Sequence, residues 1–472
     1  MKLYFRCLVM LIQKYLLRRS SGRVICDFAE KMGVVYIKMA QILAMQNVGE
    51  IFTENDRVRL AQICDHCKPI SYDKIAQILQ QELSETQLAQ IKTIDHDPLG
   101  SASISQVHRA TLLDGQQIVL KIKRHDITSG IEHDIKQLKR LIRRFGRFTP
   151  LRNLIGSDKA LSLWADWIYQ ETDFTKERQN LEDYRQFCTS VNGRIHGTKQ
   201  LQVPQIYSDF CTENIIAMEY IAAPTINKME LNDQNKILIS RGLNDYISLS
   251  FWALLHGQKV VFHGDPHSGN IYIDTQGNIG FLDMGLVFAF DGEETEYIRV
   301  LFLNAYMGKA EEIVDMLIAR SQYIKFDRQQ LIADVRAEIT KFRQISVTQF
   351  FINMINTFTR YDIAPPEILF KMAKAFLAIF GINNFVGNRT DVEALLSRQV
   401  IEFYLYRTRN DLRSLTGQGF KSMVEIIQSS TREGIITGCS TVLISLDEFS
   451  QKCQTTLENG RELLGLIRGG LA

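Results

Sequence analysis

Two short polar motifs carry the residue types that phosphoryl transfer requires. The first, F-H-G-D-P-H-S-G-N at residues 262–270, supplies Asp265 and, five positions later, Asn270. The second, L-D-M-G at residues 282–285, supplies Asp283 thirteen residues after that asparagine. Phosphoryl transfer needs one carboxylate beside the attacking oxygen, and an amide and a second carboxylate that hold Mg²⁺ on the phosphates. The spacing therefore predicts that Asp265 acts on the nucleophile while Asn270 and Asp283 bind Mg²⁺.

The residues between the two motifs predict a small β-hairpin. Apolar runs at residues 271–273 and 279–282 flank Gln276-Gly277-Asn278, which is a typical turn sequence. Asn270 and Asp283 would then lie at opposite strand ends, one before the first strand and one after the second. His263, two residues before Asp265, would brace the loop.

A strand lysine and a helix carboxylate would complete a kinase-type site. The run I-V-L-K at residues 118–121 supplies Lys121, whose apolar neighbours would bury its stem, and Lys123 competes on the same face of the strand. Glu177, on a helix predicted over residues 159–188, is the candidate partner of Lys121. Asp173 shares its helix face because the two lie four positions apart. An ordinary solvated acidic face is the alternative interpretation.

Two further segments are candidates for binding the nucleotide. The loop at residues 98–106 consists mostly of small residues, so its backbone amides could approach a phosphate closely, although it is not G-x-G-x-x-G. The run at residues 215–221 predicts an apolar strand that leads into a polar segment. In a kinase, the backbone of such a segment pairs with adenine; in isolation it is only a buried strand. The candidate nucleotide contacts are Gly100, Ser101, Ala102, Ser103, Lys121, Glu219 and Ile221.

Helix and strand patterns divide the chain into four segments. Residues 1–97 predict a helical N-terminal extension, with helices over Glu30–Gln46, Ser71–Gln81 and Ser84–Lys92, the last two each opened by a serine at a plausible N-cap position. Residues 98–222 predict a strand-rich small lobe that binds nucleotide, with a hairpin over Val107–Thr111 and Gln117–Lys123 and strands over Pro204–Tyr207 and Asn214–Tyr220. Residues 223–400 predict a large catalytic lobe that is helical except for the hairpin, and residues 401–472 predict a helical tail. This order predicts an α+β, two-lobed protein-kinase-like fold.

Composition and charge restrict the partners and the location. The chain has 472 residues, 45% of them apolar, and its net charge of +2 gives no general attraction to nucleic acid. Eight cysteines, of which only Cys64 and Cys67 form a C-x-x-C pair, predict thiols in a reducing cytoplasm. No charge-free stretch approaches the roughly 18 residues of a transmembrane helix. The first 23 residues, which include six basic and no acidic side chains, predict an amphipathic helix. This helix would either contact a membrane surface or simply pack onto the rest of the protein.

These motifs, in this order, resemble the UbiB (AarF) family of atypical protein-kinase-like proteins from about Gly33 to about Ile401. The family's K-x-G-Q helix motif corresponds to Lys38-Met39-Ala40-Gln41, and its S-I-G-Q-V-H loop corresponds to residues 103–108. Its E-x-D motif corresponds to Glu171-Thr172-Asp173, and its lysine-pairing glutamate falls on Glu177. Departures from the family pattern occur at Ala40, Gly100, Ser101 and Ser105.

The resemblance implies a regulatory cap and a set of partners. Lys38 and Gln41 would cover the site where a protein substrate would dock, in contact with Glu171 and Asp173. ATP and Mg²⁺ would be the cofactors, and ATP hydrolysis or a small-molecule or lipid-linked role would be favoured over protein phosphorylation. Family members are associated with ubiquinone and other isoprenoid quinone-lipid biosynthesis. The implied partners are therefore a lipid or quinone precursor, a membrane surface touched by the N-terminus or by basic residues 136–152, and a biosynthetic complex.

Two other functions fit the same residues. The pattern H-G-D-x-H-x-x-N is equally typical of small-molecule phosphotransferases of the aminoglycoside or choline kinase type, although the helix at residues 38–41 and the loop at 98–108 argue against them. A nucleotide-gated, non-catalytic scaffold would result if the N-terminal helix occluded the site. Only about eight residues separate Gly285 from a predicted helix near Glu293, which leaves no room for a regulatory activation loop.

Overall fold

The computed structural model describes residues 21–45, 56, 69–102, 104–124, 127–145, 158–319, 326–341, 347–361, 363, 366–386, 399–400 and 403. The predicted N-terminal amphipathic segment at 1–20, the C-x-x-C pair and nearly all of the predicted tail lie outside these residues. The helices are α1 (Ser21–Met32), α2 (Val34–Met45), α3 (Tyr72–Glu82), α4 (Glu85–Gln90), α5 (Ile127–Phe145), α6 (Asp158–Gln170), α7 (Phe174–Val191), α8 (Asp233–Leu255), α9 (Glu293–Met307), α10 (Ala310–Ala319), α11 (Arg328–Lys341), α12 (Val347–Arg360) and α13 (Glu367–Val386). The strands are β1 (Ile91–Ile94), β2 (Gly100–Ser101), β3 (Ser105–Leu112), β4 (Gln117–Lys123), β5 (Leu201–Gln202), β6 (Ile215–Glu219), β7 (Val260–His263), β8 (Ile271–Ile273), β9 (Ile279–Phe281) and β10 (Val287–Phe290).

A five-stranded sheet positions the strand lysine. Its order is β1-β3-β4-β6, with β2 also paired to β3, and the β1–β3, β2–β3, β3–β4 and β4–β6 pairs are all antiparallel. The predicted hairpin over Val107–Thr111 and Gln117–Lys123 is confirmed as β3 and β4. Lys121 on β4 lies opposite Val107 on β3 and Ile216 on β6. The lysine therefore belongs to the central strand that is paired on both edges.

The two faces of this sheet contact different apolar clusters. Ile118, Leu120 and Ile122 of β4 pack with Ile75 and Leu79 of α3 in one cluster. Because side chains alternate along a strand, Lys121 points to the other face, which meets the large helical core. Because successive side chains of β4 point to opposite faces of the sheet, the Lys121 ammonium points away from α3 and towards α7.

Two further small sheets carry the catalytic motifs. Strands β8 and β9 form the predicted hairpin, with Ile271 opposite Phe281, and β5 pairs in parallel with β9. Strands β7 and β10 pair antiparallel, with His263 opposite Val287. The expectation that everything past Ile226 except the hairpin is helical is therefore wrong at β7 and β10. β7 is fully buried, whereas in β10 Val287 is partly buried and Ala289 is exposed. Both runs are short and almost entirely apolar, so their sequences lack the alternation of apolar and polar residues that identifies a strand.

The structure divides both long predicted helices. The helix predicted over Glu30–Gln46 is interrupted at Gly33, whose φ of +112° is not helical. The helix predicted over residues 159–188 ends at Gln170 and begins again at Phe174. Asp173 caps the second helix, because its carboxylate accepts hydrogen bonds from the backbone N–H groups of Thr175 and Lys176, each at 3.0 Å.

Smaller differences follow from local hydrogen bonding. Serines open α3 and α4 as predicted, and Ser84 forms a capping box with Gln87. However, α4 ends at Gln90, because the next residues pair with β3 as strand β1. The strand predicted over Pro204–Tyr207 contributes only an isolated bridge from Ile206 to Met218. Among the described helices, none is both long and apolar enough to span a bilayer.

Gly33→Ala tests the break that orients α2. An L-residue at this positive φ is strained by about 1–2 kcal/mol, so the unfolding free energy should fall by that amount. No atom lies within 4 Å of a methyl group added at Gly33, so backbone strain is the only local cost. Thermal or denaturant unfolding measures the loss.

Gly130→Ala is the matched control. Gly130 lies within α5, where an added methyl group also meets nothing within 4 Å, and its φ is not positive. Alanine should therefore stabilise this helix by roughly 0.5–1 kcal/mol. Equal effects of the two substitutions would contradict the assignment of strain to Gly33.

Candidate active site

Lys121 lies at the centre of the candidate site. Its Nζ donates to Glu177 Oε1 at 2.6 Å and to Asp283 Oδ2 at 2.9 Å, and it lies 5.5 Å from the centre of the Phe174 ring. Burial lowers the pKa of Lys121, but the charges of Asp283 and Glu177 outweigh burial and raise it above its usual value. Lys121 is therefore a permanent cation that joins β4, α7 and the end of the β8–β9 hairpin.

The environment of this ion pair is energetically expensive. Glu177 is fully buried and the Lys121 side chain is 8% exposed. Burial raises the pKa of Glu177 to about 7 despite its contact with Lys121. Buried ion pairs often stabilise a fold less than well-packed apolar residues would, and strongly perturbed groups in a cleft are typical of functional sites. The Asp283 side chain is 38% exposed, so this end of the cluster is open to a ligand.

A second cluster surrounds Asp265. Lys38 Nζ on α2 lies 2.6 Å from Asp265 Oδ2 and 3.0 Å from Glu171 Oε2. One ammonium therefore links the helix motif at residues 38–41 to the loop at residues 264–270, which is the candidate catalytic loop. Burial alone would raise the pKa of Asp265, but the Lys38 and Lys374 ammonium groups hold it far below the usual range. Burial raises the pKa of Glu171 despite Lys38. Asp265 is therefore a carboxylate whose proton affinity is very low.

His263 connects the two clusters. Its Nε2–H donates to the carbonyl oxygen of Asp283 at 2.6 Å, while its Nδ1 accepts from the backbone N–H of Asp265 at 3.1 Å. These partners require the neutral ring with the proton on Nε2. Burial lowers the pKa of His263 to about 4, which keeps the ring neutral near pH 7. The structure thus ties the two aspartates together through one imidazole.

Gly264, next to this histidine, lies so close to Leu286 that no side chain fits between them. A methyl group added at Gly264 would lie 2.7 Å from Leu286 Cγ, and the Gly264 N–H donates to the Leu286 carbonyl at 2.8 Å. The glycine of the H-G-D motif therefore allows the catalytic loop to lie directly against the residues that follow Asp283.

Asn270 and Asp283 lie side by side at one end of the β8–β9 hairpin. The Leu282 N–H donates to the Asn270 carbonyl at 2.8 Å, and the Asn270 amide lies 2.6 Å from His267 Nε2. One carboxylate and one amide oxygen fit Mg²⁺, which usually takes its other ligands from phosphates and water. Within the described ranges, no group of three or more His, Cys, Asp or Glu side chains is arranged to hold a metal ion. The donor set thus suits a metal ion that arrives with a phosphate ligand.

The nucleotide candidates lie on a hairpin and at a strand end. Gly100 and Ser101 form β2 rather than an open loop, and the Ala102 N–H donates to the Ser105 carbonyl at 2.9 Å. Ser103 lies outside the described residues. The Glu219 N–H, at the end of β6, donates to the Gln205 carbonyl at 2.8 Å, while Ile221 is partly buried.

The cap candidates have different environments. Lys38 contacts Glu171 and Asp265, whereas Asp173 is exposed and accepts the backbone hydrogen bonds that begin α7. The contacts of Lys121 are Glu177, Asp283 and the Phe174 ring, and they do not include Asp173. Gln41 lies on α2 one turn after Lys38, and its side chain is outside the described part.

Sequence reasoning missed several site residues. Lys374 on α13 donates to the Gly264 carbonyl at 2.9 Å. Arg124 donates to Ser101 Oγ at 2.7 Å and to the Ala102 carbonyl at 2.9 Å, so it braces the candidate nucleotide hairpin. The position of Arg124, three residues after Lys121, was a usable signal. Lys374 offered none, because more than 100 residues separate it from its partner.

The pH dependence of folding should report His263. Its pKa is about 4 in the folded chain and 6.5 in the unfolded chain, so the unfolded state binds more protons between these values. The unfolding free energy should therefore fall as the pH decreases from 6.5 to 4, by roughly 3 kcal/mol from this residue. His263→Asn removes the imidazole that takes up the proton. The difference in unfolding free energy between wild type and variant should therefore become smaller as the pH falls from 6.5 to 4.

Denaturant unfolding at several pH values measures this gap, and the contribution of Glu177 is common to both proteins. His196→Asn, at an exposed position, is the control and should leave the pH profile unchanged. A gap between wild type and His263→Asn that stays constant with pH would contradict the assignment.

The chain is similar in sequence to several kinase-like proteins. A protein named Probable protein kinase UbiB from Erwinia tasmaniensis is 25% identical over 387 residues, which cover 77% of this chain and 67% of that protein. A protein of the same name from Cronobacter sakazakii is 25% identical over 432 residues, covering 86% and 76%. An uncharacterized aarF domain-containing chloroplast kinase of Arabidopsis thaliana is 30% identical over 297 residues, covering 61% and 52%. The chain spans about half to three quarters of the length of these relatives.

The family follows from a second comparison. A model of the ABC1 atypical kinase-like domain matches residues 62–317, which is more than half of the chain and includes Lys121, Glu177, Asp265 and Asp283. The resemblance to UbiB and AarF proteins is thereby confirmed, and so is a kinase-like domain of mixed helix and strand content. The chain belongs to the ABC1 atypical kinase-like family.

Proposed function

We propose that this chain is an Mg-ATP-dependent enzyme, an ATPase or kinase, that supports ubiquinone or other isoprenoid quinone-lipid biosynthesis at a membrane. The observation that carries the proposal is the position of Lys121 between buried Glu177 and partly exposed Asp283. A buried lysine with two carboxylates leaves excess negative charge at neutral pH and above. A Mg²⁺ ion at the open end of the cluster would neutralise that charge and would in turn bind the nucleotide phosphates.

Each chain residue has a distinct role in this proposal. Lys121, steadied by Glu177, would hold the nucleotide phosphates, and Asn270 and Asp283 would hold Mg²⁺. The bound metal ion would supply charge neutralisation on the phosphates. Asp265 would orient the attacking oxygen, and His263 would keep Asp265 in register with Asp283. The candidate nucleotide hairpin at 100–103 and the backbone at 219–221 would contact the rest of ATP.

The electrostatics of Asp265 favour orientation over proton abstraction. A general base works best when its pKa lies near the working pH, whereas Lys38 and Lys374 hold the pKa of Asp265 far below that range, and Lys374 would still face Asp265 if Lys38 moved away. Phosphoryl transfer passes through a loose transition state that needs little help from a base. A weakly basic Asp265 that accepts a hydrogen bond from water or a hydroxyl is therefore sufficient for hydrolysis or transfer.

The domain organisation belongs to the same proposal. Residues 98–222 would form the small nucleotide-binding lobe and residues 223–400 the large catalytic lobe, with ATP between them. Residues 1–97 would form the extension that carries Lys38, and residues 401–472 the tail. A small apolar cluster between α3 and one face of the sheet lies apart from the large core, whereas that core joins residues of both proposed lobes. Strand β1 would join the small-lobe sheet from the preceding segment.

The proposed role near quinone lipids has narrower support. Relatives over most of the chain carry the name Probable protein kinase UbiB. In α5, Lys136 is exposed and lies in the basic stretch that would meet an anionic surface. The lipid or quinone-precursor substrate and the biosynthetic complex are proposed on this basis, as is a cytoplasmic, peripheral location.

The contact between Lys38 and Asp265 favours one alternative. An ammonium on Asp265 Oδ2 occupies the oxygen that would meet an acceptor. This blockade is compatible with a nucleotide-gated scaffold that binds ATP without turning it over. It argues further against a small-molecule phosphotransferase, which needs an open path to its hydroxyl substrate.

Asp283→Asn should abolish stabilisation by MgATP. The substitution removes the charge that would bind Mg²⁺ while it keeps the shape of the side chain and an oxygen that can accept from the Gly285 N–H. A thermal unfolding scan with and without MgATP measures the shift. Asp291→Asn, at an exposed aspartate beyond β10, is the control and should retain the full wild-type shift. A full MgATP shift in Asp283→Asn would overturn the assignment.

ATP hydrolysis with and without anionic liposomes should separate the enzyme from the scaffold. If the chain is an enzyme gated by its cap, hydrolysis should rise when liposomes are present, and Lys38→Met should raise the rate without them. Neutral liposomes are the control for surface charge. Binding of ATP with no hydrolysis in any of these conditions would favour the scaffold.

A further inference from the structure

Lys374 is a buried cation that lies outside the residues matched by the family model. It is on α13 and is 8% exposed. Its Nζ donates to the Gly264 carbonyl at 2.9 Å and lies 3.9 Å from Asp265 Oδ1. It also lies 5.6 Å from the centre of the Trp167 ring on α6. One ammonium thus contacts both the backbone and the side chain of the catalytic loop.

The surroundings of Lys374 explain why a cation is tolerated there. Burial lowers the pKa of Lys374, the carboxylates of Asp265 and Glu171 oppose this, and Lys38 adds to it. A buried ammonium needs hydrogen-bond acceptors and a counter-charge, and here Gly264 and Asp265 provide them. The aromatic face of Trp167 adds a further favourable contact. The site is therefore built for a lysine.

The two lysines face different oxygens of Asp265, and of the two only Lys38 lies within hydrogen-bond distance. Lys38 takes Oδ2 at 2.6 Å from the N-terminal helix α2, whereas Lys374 faces Oδ1 at 3.9 Å from the large helical core. An acceptor that approaches Asp265 from the Oδ2 side meets the Lys38 ammonium there and would compete with it for that oxygen. Lys374, which also holds the Gly264 carbonyl, can stay in place during that exchange.

We propose that Lys374 is the positioning residue for Asp265, fixing the catalytic loop and the Oδ1 side of the carboxylate while Oδ2 exchanges Lys38 for the attacking group. This inference rests on the proposed function and extends it to the group that prepares Asp265 for reaction. It assigns a task to α13, far from the sequence motifs.

Lys374→Met tests the proposal in the full chain by steady-state MgATP hydrolysis. Methionine keeps the length of the side chain and removes the charge. The kcat should fall by roughly 10- to 100-fold, because a misplaced reacting group costs that much. The KM for ATP should change by less than about twofold, because Lys121 and Asp283 are untouched. Lys374→Gln, which keeps a donor for the Gly264 carbonyl, should show the same loss and serves if the methionine variant unfolds.

Lys371→Met is the matched control. Lys371 lies one turn earlier on α13 and pairs with Glu367 at 2.9 Å, so the same charge is removed from the same helix. Its kcat should equal that of wild type. Equal losses for Lys371→Met and Lys374→Met would overturn the proposal in favour of a general effect on α13.

The pH profile of hydrolysis separates positioning from simple stability. In a Lys38→Met background, Lys374 is the remaining lysine against Asp265 in the described structure. Adding Lys374→Met removes a positive charge near Asp265 and should raise the pKa of that carboxyl. The pH below which kcat falls should therefore rise by about 1–3 units. If the folded double variant has the same kcat and the same acidic pH dependence as Lys38→Met, the role of Lys374 is overturned while the proposed function stands. A wild-type chain that neither binds nor hydrolyses MgATP would instead overturn the proposed function, and the role of Lys374 with it.

Discussion

The burial of the Lys121 ammonium between Glu177 and Asp283 is the constraint on which the rest of the site depends. A lysine this deep in a protein needs its charge balanced, and the two carboxylates come from α7 and from the end of the catalytic hairpin. Satisfying one cation therefore requires the sheet, the helix and the hairpin to meet at a single point. The same contact holds Asp283 at the end of the β8–β9 hairpin, next to Leu282, whose N–H donates to the Asn270 carbonyl.

A second set of charges controls the other half of the site. Asp265 has two lysines, one from the N-terminal helix α2 and one from α13, and His263 ties it to Asp283 through two hydrogen bonds. The two aspartates of the motifs are thus held in one rigid unit. The neutral histidine suits this role because it donates on one side and accepts on the other. Lys38 differs from the other contacts, since it covers an oxygen that the chemistry would need.

The sequence was most informative where spacing along the chain decides geometry. The β3–β4 and β8–β9 hairpins and the serine cap of α4 follow from local rules of turn and capping chemistry. Local rules failed at Gly33 and at Asp173, where a helical pattern of apolar residues continued across a break in the backbone. They also failed at β7 and β10, because these short runs are almost entirely apolar and lack the alternation of apolar and polar residues.

Sequence alone determined the residue types and their order: a strand lysine, a helix glutamate, and the Asp–Asn–Asp set, which together resemble one kinase-like family. Only the tertiary structure decided which charges meet. It brought Asp283 to Lys121 beside the expected Glu177, it used Asp173 as a helix cap, and it brought Lys374 to Asp265 across more than 100 residues. The physical reason is that local hydrogen bonds and side-chain periodicity act over a few residues. The balance of buried charge, by contrast, is settled only when distant elements pack together.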